Sequence, residues 1–315
     1  MGCFKQQYFY GFLVLILLIG KTYEVSLEED LTLTYTQKLL LDKFKEIVNP
    51  ALTHEYMKRD IYLIRWLRAR NFNLMEAAQL LAQNLRWRQD ESMDTILTED
   101  WTDYENRFPY YLEGCDKEGR PVASVDVGSW DVRGQILAGK RDRIIRYFDK
   151  LIEEINTIVR HAQDRGENVT QYTLIFQMGN YNLIEQGCPS CLPVYFAMFN
   201  SYEAHYTGNV HKMILVNTPP IFQALLSLIR PLLSPLTRDA LFIYGNNKAE
   251  WQSVLLEEMM PNQLAKSYGG NREQGFEPRE VRLWKEFKCN VERPELQNST
   301  SSTTPLTNIT SQHLS

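Results

Sequence analysis

Apolar residues recur at helical spacing through the first third of the chain, from Leu31 to Glu99. Leu39, Leu40, Phe44, Ile47 and Val48 form one stripe, and Pro50 breaks it. A second helix is predicted over Arg59 to Arg70, with Ile61, Ile64 and Leu67 on one face. Asn73 followed by Glu76 reads as an N-cap pair for a third helix carrying Leu74, Ala77, Ala78, Leu81 and Leu85. After Trp101 the pattern changes. The run Asp116 to Pro121 is turn chemistry, and Val122 to Val127 is short and β-rich. Arg141 to Gln163 is a long amphipathic helix with Ile144, Phe148, Leu151, Ile152, Ile155, Ile158 and Val159 on its apolar side. Buried strands are predicted at Tyr172 to Met178, Met213 to Asn217 and Ala240 to Tyr244. Helices are predicted at Leu192 to Tyr202, Pro219 to Leu233 and Glu250 to Glu258. Alternating strands and helices imply an α/β fold, a mostly parallel sheet covered by helices. The expected organisation is a helical amino-terminal lobe over 31–100, an α/β lobe over 101–272 and a carboxyl-terminal extension over 273–297.

The two ends depart from this pattern. Residues 12–19 read FLVLILLI, preceded by Lys5 and followed by Gly20-Lys21-Thr22. The run is shorter than the roughly 20 residues of a spanning helix and matches a signal-peptide core of about 7–15. Residues 1–22 are therefore read as a signal peptide or an uncleaved membrane anchor. Residues 298–315, rich in Ser and Thr, carry almost nothing apolar and read as a disordered tail. Asn168, Asn298 and Asn308 head Asn-x-Ser/Thr triplets and are candidate N-glycosylation sites if the chain is exported. Of the five cysteines, loss of Cys3 with a leader leaves Cys115, Cys188, Cys191 and Cys289, a number compatible with two bridges. Localisation is expected in the secretory pathway or outside the cell if the leader functions. Otherwise it is cytoplasmic and peripheral at membranes. With 315 residues, 44% of them hydrophobic, and a net charge of −5, the chain can bury a sizeable core and shows no global nucleic-acid signature.

Candidate chemistry is sparse. Gly134 to Arg141 falls one residue short of a phosphate-binding loop, because Arg141 cannot supply the hydroxyl that magnesium needs. The histidines at 54, 161, 205, 211 and 313 are scattered, and no metal site is expected. Cys188-Pro189-Ser190-Cys191 is the one sharp catalytic candidate, as a thiol–disulfide oxidoreductase pair at a helix start. A structural disulfide or free thiols are the plainer readings of the same spacing. Arg65, Arg68, Arg70, Arg86 and Arg88 crowd the amino-terminal helices, either as a phosphate-facing patch or as ion-paired helix faces. The most distinctive segment is Pro219 to Leu233, where Ile221, Phe222, Leu225, Leu226, Leu228 and Ile229 are bounded by prolines. Such a helix is either a core crossover or a lid over an apolar cavity that touches a bilayer when open.

Four segments carry a family resemblance, in order, over residues 35–272. They are Asp60 to Leu74 (DIYLIRWLRARNFNL) with Trp87-Arg88, Gly114 to Val122, Val216 to Pro219 through Arg230 to Leu233, and Trp251 through Pro261 to Leu264 and on to Gly270. Together they resemble the CRAL-TRIO family. The resemblance implies a bilobal fold, an apolar pocket for one lipid of phospholipid or isoprenoid type, and a mobile gate helix that transfers it between membranes. It implies no enzyme activity and no cofactor. Arg230 aligns with the family's basic residue before Pro, as a lipid headgroup contact. The expected pocket wall is Phe148, Leu151, Ile175, Phe176, Phe196, Phe199, Ile214 and Val216. Gln177 stands where members often carry Asp, and Asn71 where phosphoinositide binders tend to be basic. Phosphatidylinositol and a neutral apolar ligand are thus both candidates. The expected partners are the lipid and a transient membrane surface, with no nucleic acid and a monomeric chain. A regulatory protein-interaction module of similar fold is the alternative.

Overall fold

The computed structural model describes residues 30–182, 184–230, 233–276 and 287–289. The expected signal segment 1–22, the tail 298–315 and the sequons at Asn298 and Asn308 lie outside them.

Helix α1 (Tyr35–Val48) opens with a reciprocal capping box between Thr34 and Gln37. Pro50 then sits in a 3₁₀ turn over Asn49–Ala51 and stops it. Helices α2 (Asp60–Arg68) and α3 (Leu74–Asp90) follow. Asn73 caps α3 as its sequence predicts, its side-chain oxygen accepting from the Met75 and Glu76 amides. The inward stripes of these three helices, including Leu41, Phe44, Leu63, Leu67, Ala77 and Leu81, close a core of their own.

The short helix α4 (Thr102–Glu105) leads into strand β1 (Tyr110–Cys115), which the sequence reading did not anticipate. It forms an antiparallel pair with β2 (Pro121–Asp126). Gly119, with φ +84°, makes the tight turn between them, and the Asp116 carboxylate accepts from the Glu118 and Arg120 amides. Helix α5 (Val132–Leu137) starts on an Asp131 cap, so the run beginning at Gly134 is helix and turn rather than a phosphate loop. Helix α6 (Arg141–Asp164) crosses to β3 (Tyr172–Gln177), and α7 (Leu192–His205) crosses to β4 (Val210–Val216). Helices α8 (Pro220–Ile229) and α9 (Pro235–Asp239) connect to β5 (Leu241–Ile243), and α10 (Lys248–Glu258) closes the order.

Among the described residues the sheet has order β1-β2-β3-β4-β5, parallel from β2 onward. Register then fixes which side chains share a face. Ala123, Leu174, Met213 and Leu241 stand in one row, and Val125, Phe176 and Leu215 in the next. These rows face α6, α7 and α8 in the largest core. On the other face Val122, Ile175, Ile214 and Val216 pack against Trp251 and Leu255 of α10 and against Leu264 and Tyr268 beyond it.

Among the described residues two disulfides are present. Cys188–Cys191 lies just before α7, and Cys115–Cys289 joins the end of β1 to the carboxyl-terminal extension. Among the described residues, no helix is long and apolar enough to cross a membrane.

The basic cluster resolves into ion pairs and hydrogen bonds, some within the amino-terminal lobe and others between the lobes. Arg65 donates to the Asn209 side chain and the Thr170 carbonyl, and Arg68 pairs with Asp30. Arg88 spans Glu153 at 2.6 Å and Asp94 at 2.8 Å, while Trp87 stacks on His205 at 3.7 Å. Arg86 remains exposed. A small polar cleft of about 40 Å³ remains among these groups. Burial holds His205 down to about pH 4 and His211, on β4, to about pH 3, so both are neutral in the fold.

Candidate functional site

The cavity floor is the sheet face that carries Leu174, Phe176, Met213 and Leu215. One wall comes from Phe148 on α6, another from Met198, Phe199, Tyr195 and Tyr202 on α7, and Trp130 closes the near end. The roof is α8, through Phe222 and Leu226. The enclosed volume is about 90 Å³, and no charged or amide side chain lines it. This lining follows from the local sequences. Strands that bear Val, Ile and Leu on both faces bury both, and α7 is dense in aromatic and apolar residues.

Helix α8 is two-sided. Phe222, Leu226 and Ile229 point inward and are buried, as is Leu233 just beyond. Their spacing of four, three and four residues is one helical face. Ile221, Gln223, Ser227 and Arg230 are exposed, with Ile221 at 51%. Leu225 and Leu228 belong to the same helix, but their side chains fall outside those described. The Phe222 ring meets Tyr181 edge-on at 5.0 Å, tying the roof to the segment after β3.

The amino-terminal hinge of α8 is held by a polar relay. Asn217 adopts φ +54°, a conformation Asn tolerates better than most residues. Its side-chain amide donates to Gln177 Oε1 at 2.8 Å, and its oxygen accepts from the Trp251 indole at 3.1 Å. Gln177 also accepts from the Gly179 amide at 2.9 Å. Pro219 and Pro220 follow after Thr218 and fix the bend into the helix. Gln177, noted in the sequence as a departure from the family's Asp, is thus an acceptor that pins the hinge to β3.

Of the expected wall residues, Phe148, Phe176 and Phe199 line the cavity. Ile175, Ile214 and Val216 do not, because they occupy the opposite sheet face beneath α10. Leu151 is buried in the same core without reaching the cavity, and half-buried Phe196 packs against that core away from the lining. The error on the strands is one of parity. In a strand apolar on both faces, period-two reading cannot say which face meets the cavity. Leu174, Met213 and Leu215 were missed for that reason, whereas Met198 was missed because α7 is apolar around most of its circumference and its pattern does not mark one face. Arg230 is exposed at the carboxyl end of α8 and is not part of the lining.

The Cys188 and Cys191 sulfurs are bonded to each other, and the two residues are 7% and 0% exposed. Exchange requires a thiolate to reach one sulfur, so this burial disfavours an oxidoreductase role. Behind the α6–α7 wall, Asp149 is buried and accepts from Ser201 Oγ at 2.6 Å. Desolvation raises its carboxyl to about 7, opposed by the Ser201 hydrogen bond and assisted by Glu153. The Asn168 sequon lies in the loop between α6 and β3, with Asn168 exposed.

A match to the CRAL/TRIO domain model covers residues 105–270, over half of the chain and the whole of the sheet and its covering helices. The SEC14 cytosolic factor of Yarrowia lipolytica (strain CLIB 122 / E 150) is 27% identical over 247 residues. That alignment spans 76% of this chain but 48% of the relative, so the chain covers about half of the relative's length. The crystal structure of Sfh5 superposes with a TM-score of 0.62 at 14% identity, covering 83% of this chain and 94% of that one. It bears on the fold alone. The matched residues carry the sheet, the roof helix and the cavity lining, and the chain belongs to the CRAL/TRIO domain family, whose members bind hydrophobic lipids.

Proposed function

We propose that this protein binds one hydrophobic lipid in the cavity beneath α8 and carries it between membranes by displacing that helix. The observation that carries the reading is the pairing of an uncharged apolar cavity with a two-sided roof hinged at Asn217-Thr218-Pro219. Burial of acyl or isoprenoid surface, about 25 cal/mol per Å², supplies the affinity. A cavity of about 90 Å³ is well below the roughly 300–1,000 Å³ of sites that enclose a whole ligand. The described conformation is accordingly closed, and a lipid enters as α8 swings out. The bilayer then covers Phe222 and Leu226 while they are exposed, which lowers the barrier to exchange. Exposed Arg230, at the carboxyl end of α8, offers a guanidinium to a phosphate or other polar headgroup. This is a transport role rather than catalysis. It involves a transient membrane surface and needs no second copy of the chain.

The test is vesicle-to-vesicle transfer of fluorescent phospholipid and isoprenoid probes by the full chain. Saturable transfer supports the reading. One observation favours the alternative of a regulatory interaction module: bulky aromatic side chains already occupy much of the space. A chain that stays empty in the presence of every probe and captures no lipid would select that alternative.

A further inference from the structure

We infer that this chain is a glycoprotein that folds in an oxidising compartment, with an N-linked glycan on Asn168 and Cys115–Cys289 as a constitutive structural bond. The inference is independent of the lipid reading.

Cys115 is fully buried at the end of edge strand β1, and Cys289 lies 174 residues further on. Their Cα atoms are 5.6 Å apart, within the range a disulfide bridges. Described residues of the carboxyl-terminal extension make other contacts as well. Phe276 exchanges two backbone hydrogen bonds of 2.8 Å with Leu112, adding a bridge to the exposed edge of β1. Arg165, at the end of α6, donates to the Phe287 carbonyl at 2.9 Å. Cysteines brought together from such distant parts of the chain are a built feature. With Cys188–Cys191, all four described cysteines are paired, a pattern rare where glutathione keeps thiols reduced. In bond formation the two thiols lose two protons and two electrons to a protein disulfide of the compartment, which becomes a dithiol.

Asn168 opens the triplet Asn-Val-Thr and is exposed, while Val169 and Thr170 behind it are buried at about 2% exposure. The loop enters the amino-terminal end of β3, whereas the hinge of α8 leaves the carboxyl-terminal end of the parallel neighbour β4. The strands separate these ends by roughly 20 Å, the length of six or seven extended residues. A glycan there projects away from the cavity mouth and leaves the roof free to meet a membrane. Attachment forms a bond from Asn168 Nδ2 to the anomeric carbon of a lipid-diphosphate-linked oligosaccharide. The Nδ2 proton is lost and the lipid diphosphate leaves.

The test expresses the full chain with its own amino terminus in eukaryotic cells. An Asn298→Gln/Asn308→Gln background isolates the site. Endoglycosidase is expected to increase the mobility of that variant, and adding Asn168→Gln is expected to abolish the shift. Non-reducing peptide mapping after alkylation is expected to return a linked Cys115–Cys289 peptide. Absence of a shift in the isolating background overturns the glycan assignment, whatever the cysteines show. Alkylation of Cys115 and Cys289 in the native protein without reductant overturns the structural bond and the oxidising compartment.

Discussion

Replacing Ile221 with Asp tests the gate at a residue that touches neither the cavity nor the core. Ile221 sits on the outer face of α8 with 51% of its surface exposed, one position from inward-facing Phe222. Full burial of an isoleucine side chain stabilises by about 1.5–3 kcal/mol, so its exposed half contributes about 1 kcal/mol on entering a bilayer interface. An aspartate there forfeits that gain. It also adds about 1 kcal/mol of charge penalty, a fraction of the roughly 2.5–3.5 kcal/mol found at a bilayer centre. The sum of about 2 kcal/mol corresponds to roughly 25-fold weaker membrane engagement by the open helix. The assay is transfer of a fluorescent lipid between vesicles, paired with lipid occupancy at equilibrium. Transfer is expected to slow by one to one and a half orders of magnitude, with occupancy changing by less than about twofold. Thermal stability is expected to move little, since exposed substitutions usually stay within about 0.5 kcal/mol. Unchanged transfer would refute the lid assignment and leave α8 as a core crossover. An equal fall in occupancy and transfer would refute the separation of gate from cavity.

Met213→Phe places a ring into the floor of a cavity of about 90 Å³ and is expected to lower lipid occupancy at least tenfold, read by mass spectrometry of extracts; full occupancy would contradict the floor assignment. Cys289→Ser releases a closure spanning 174 residues, for which chain entropy gives a ceiling of about 5 kcal/mol. A loss of 2–5 kcal/mol is expected in urea titrations under non-reducing conditions, and one below 1 kcal/mol would show that the bond does not constrain the chain. Asp149→Asn is expected to stabilise the protein at pH 8, by up to about 4 kcal/mol, because the wild-type carboxyl, raised to about 7, must ionise in a buried site. The benefit is expected to shrink as pH falls from 7 toward the ordinary aspartate value, and thermal melts at both ends check it. His205 and His211 act in the other direction. Their folded values, about 4 and 3, lie below the ordinary 6.5, so their contribution is complete above pH 6.5 and is lost as pH falls toward 4 and then 3.

The long amphipathic helix α6 was legible to within a residue, because its apolar stripe repeats from Ile144 to Val159, more than four helical turns. The Asn73 cap and the parallel strands were legible as well, through side-chain chemistry and length. Strand β1 was not. Its sequence Tyr-Tyr-Leu-Glu-Gly-Cys buries Glu113, which is satisfied by Ser124 and by the Ala265 amide, contacts made only by distant chain. The cavity was legible in kind but not in detail. Aromatics at Phe148, Phe176 and Phe199 announced it, yet Ile175 and Ile214 could be assigned to a face only once register with β2 and β5 was fixed. The cysteine count allowed two bridges without saying which. The Cys115–Cys289 partnership joins residues 174 positions apart, a pairing that no local pattern encodes.

The central claim is that the space beneath α8 holds a lipid. Its most direct measurement is native mass spectrometry of the purified full chain, followed by organic extraction and identification of what is released. One equivalent of a hydrophobic lipid per chain is expected, lost in the Met213→Phe variant. A chain that runs at its protein mass alone, and stays so after incubation with mixed phospholipid and isoprenoid vesicles, would contradict the account.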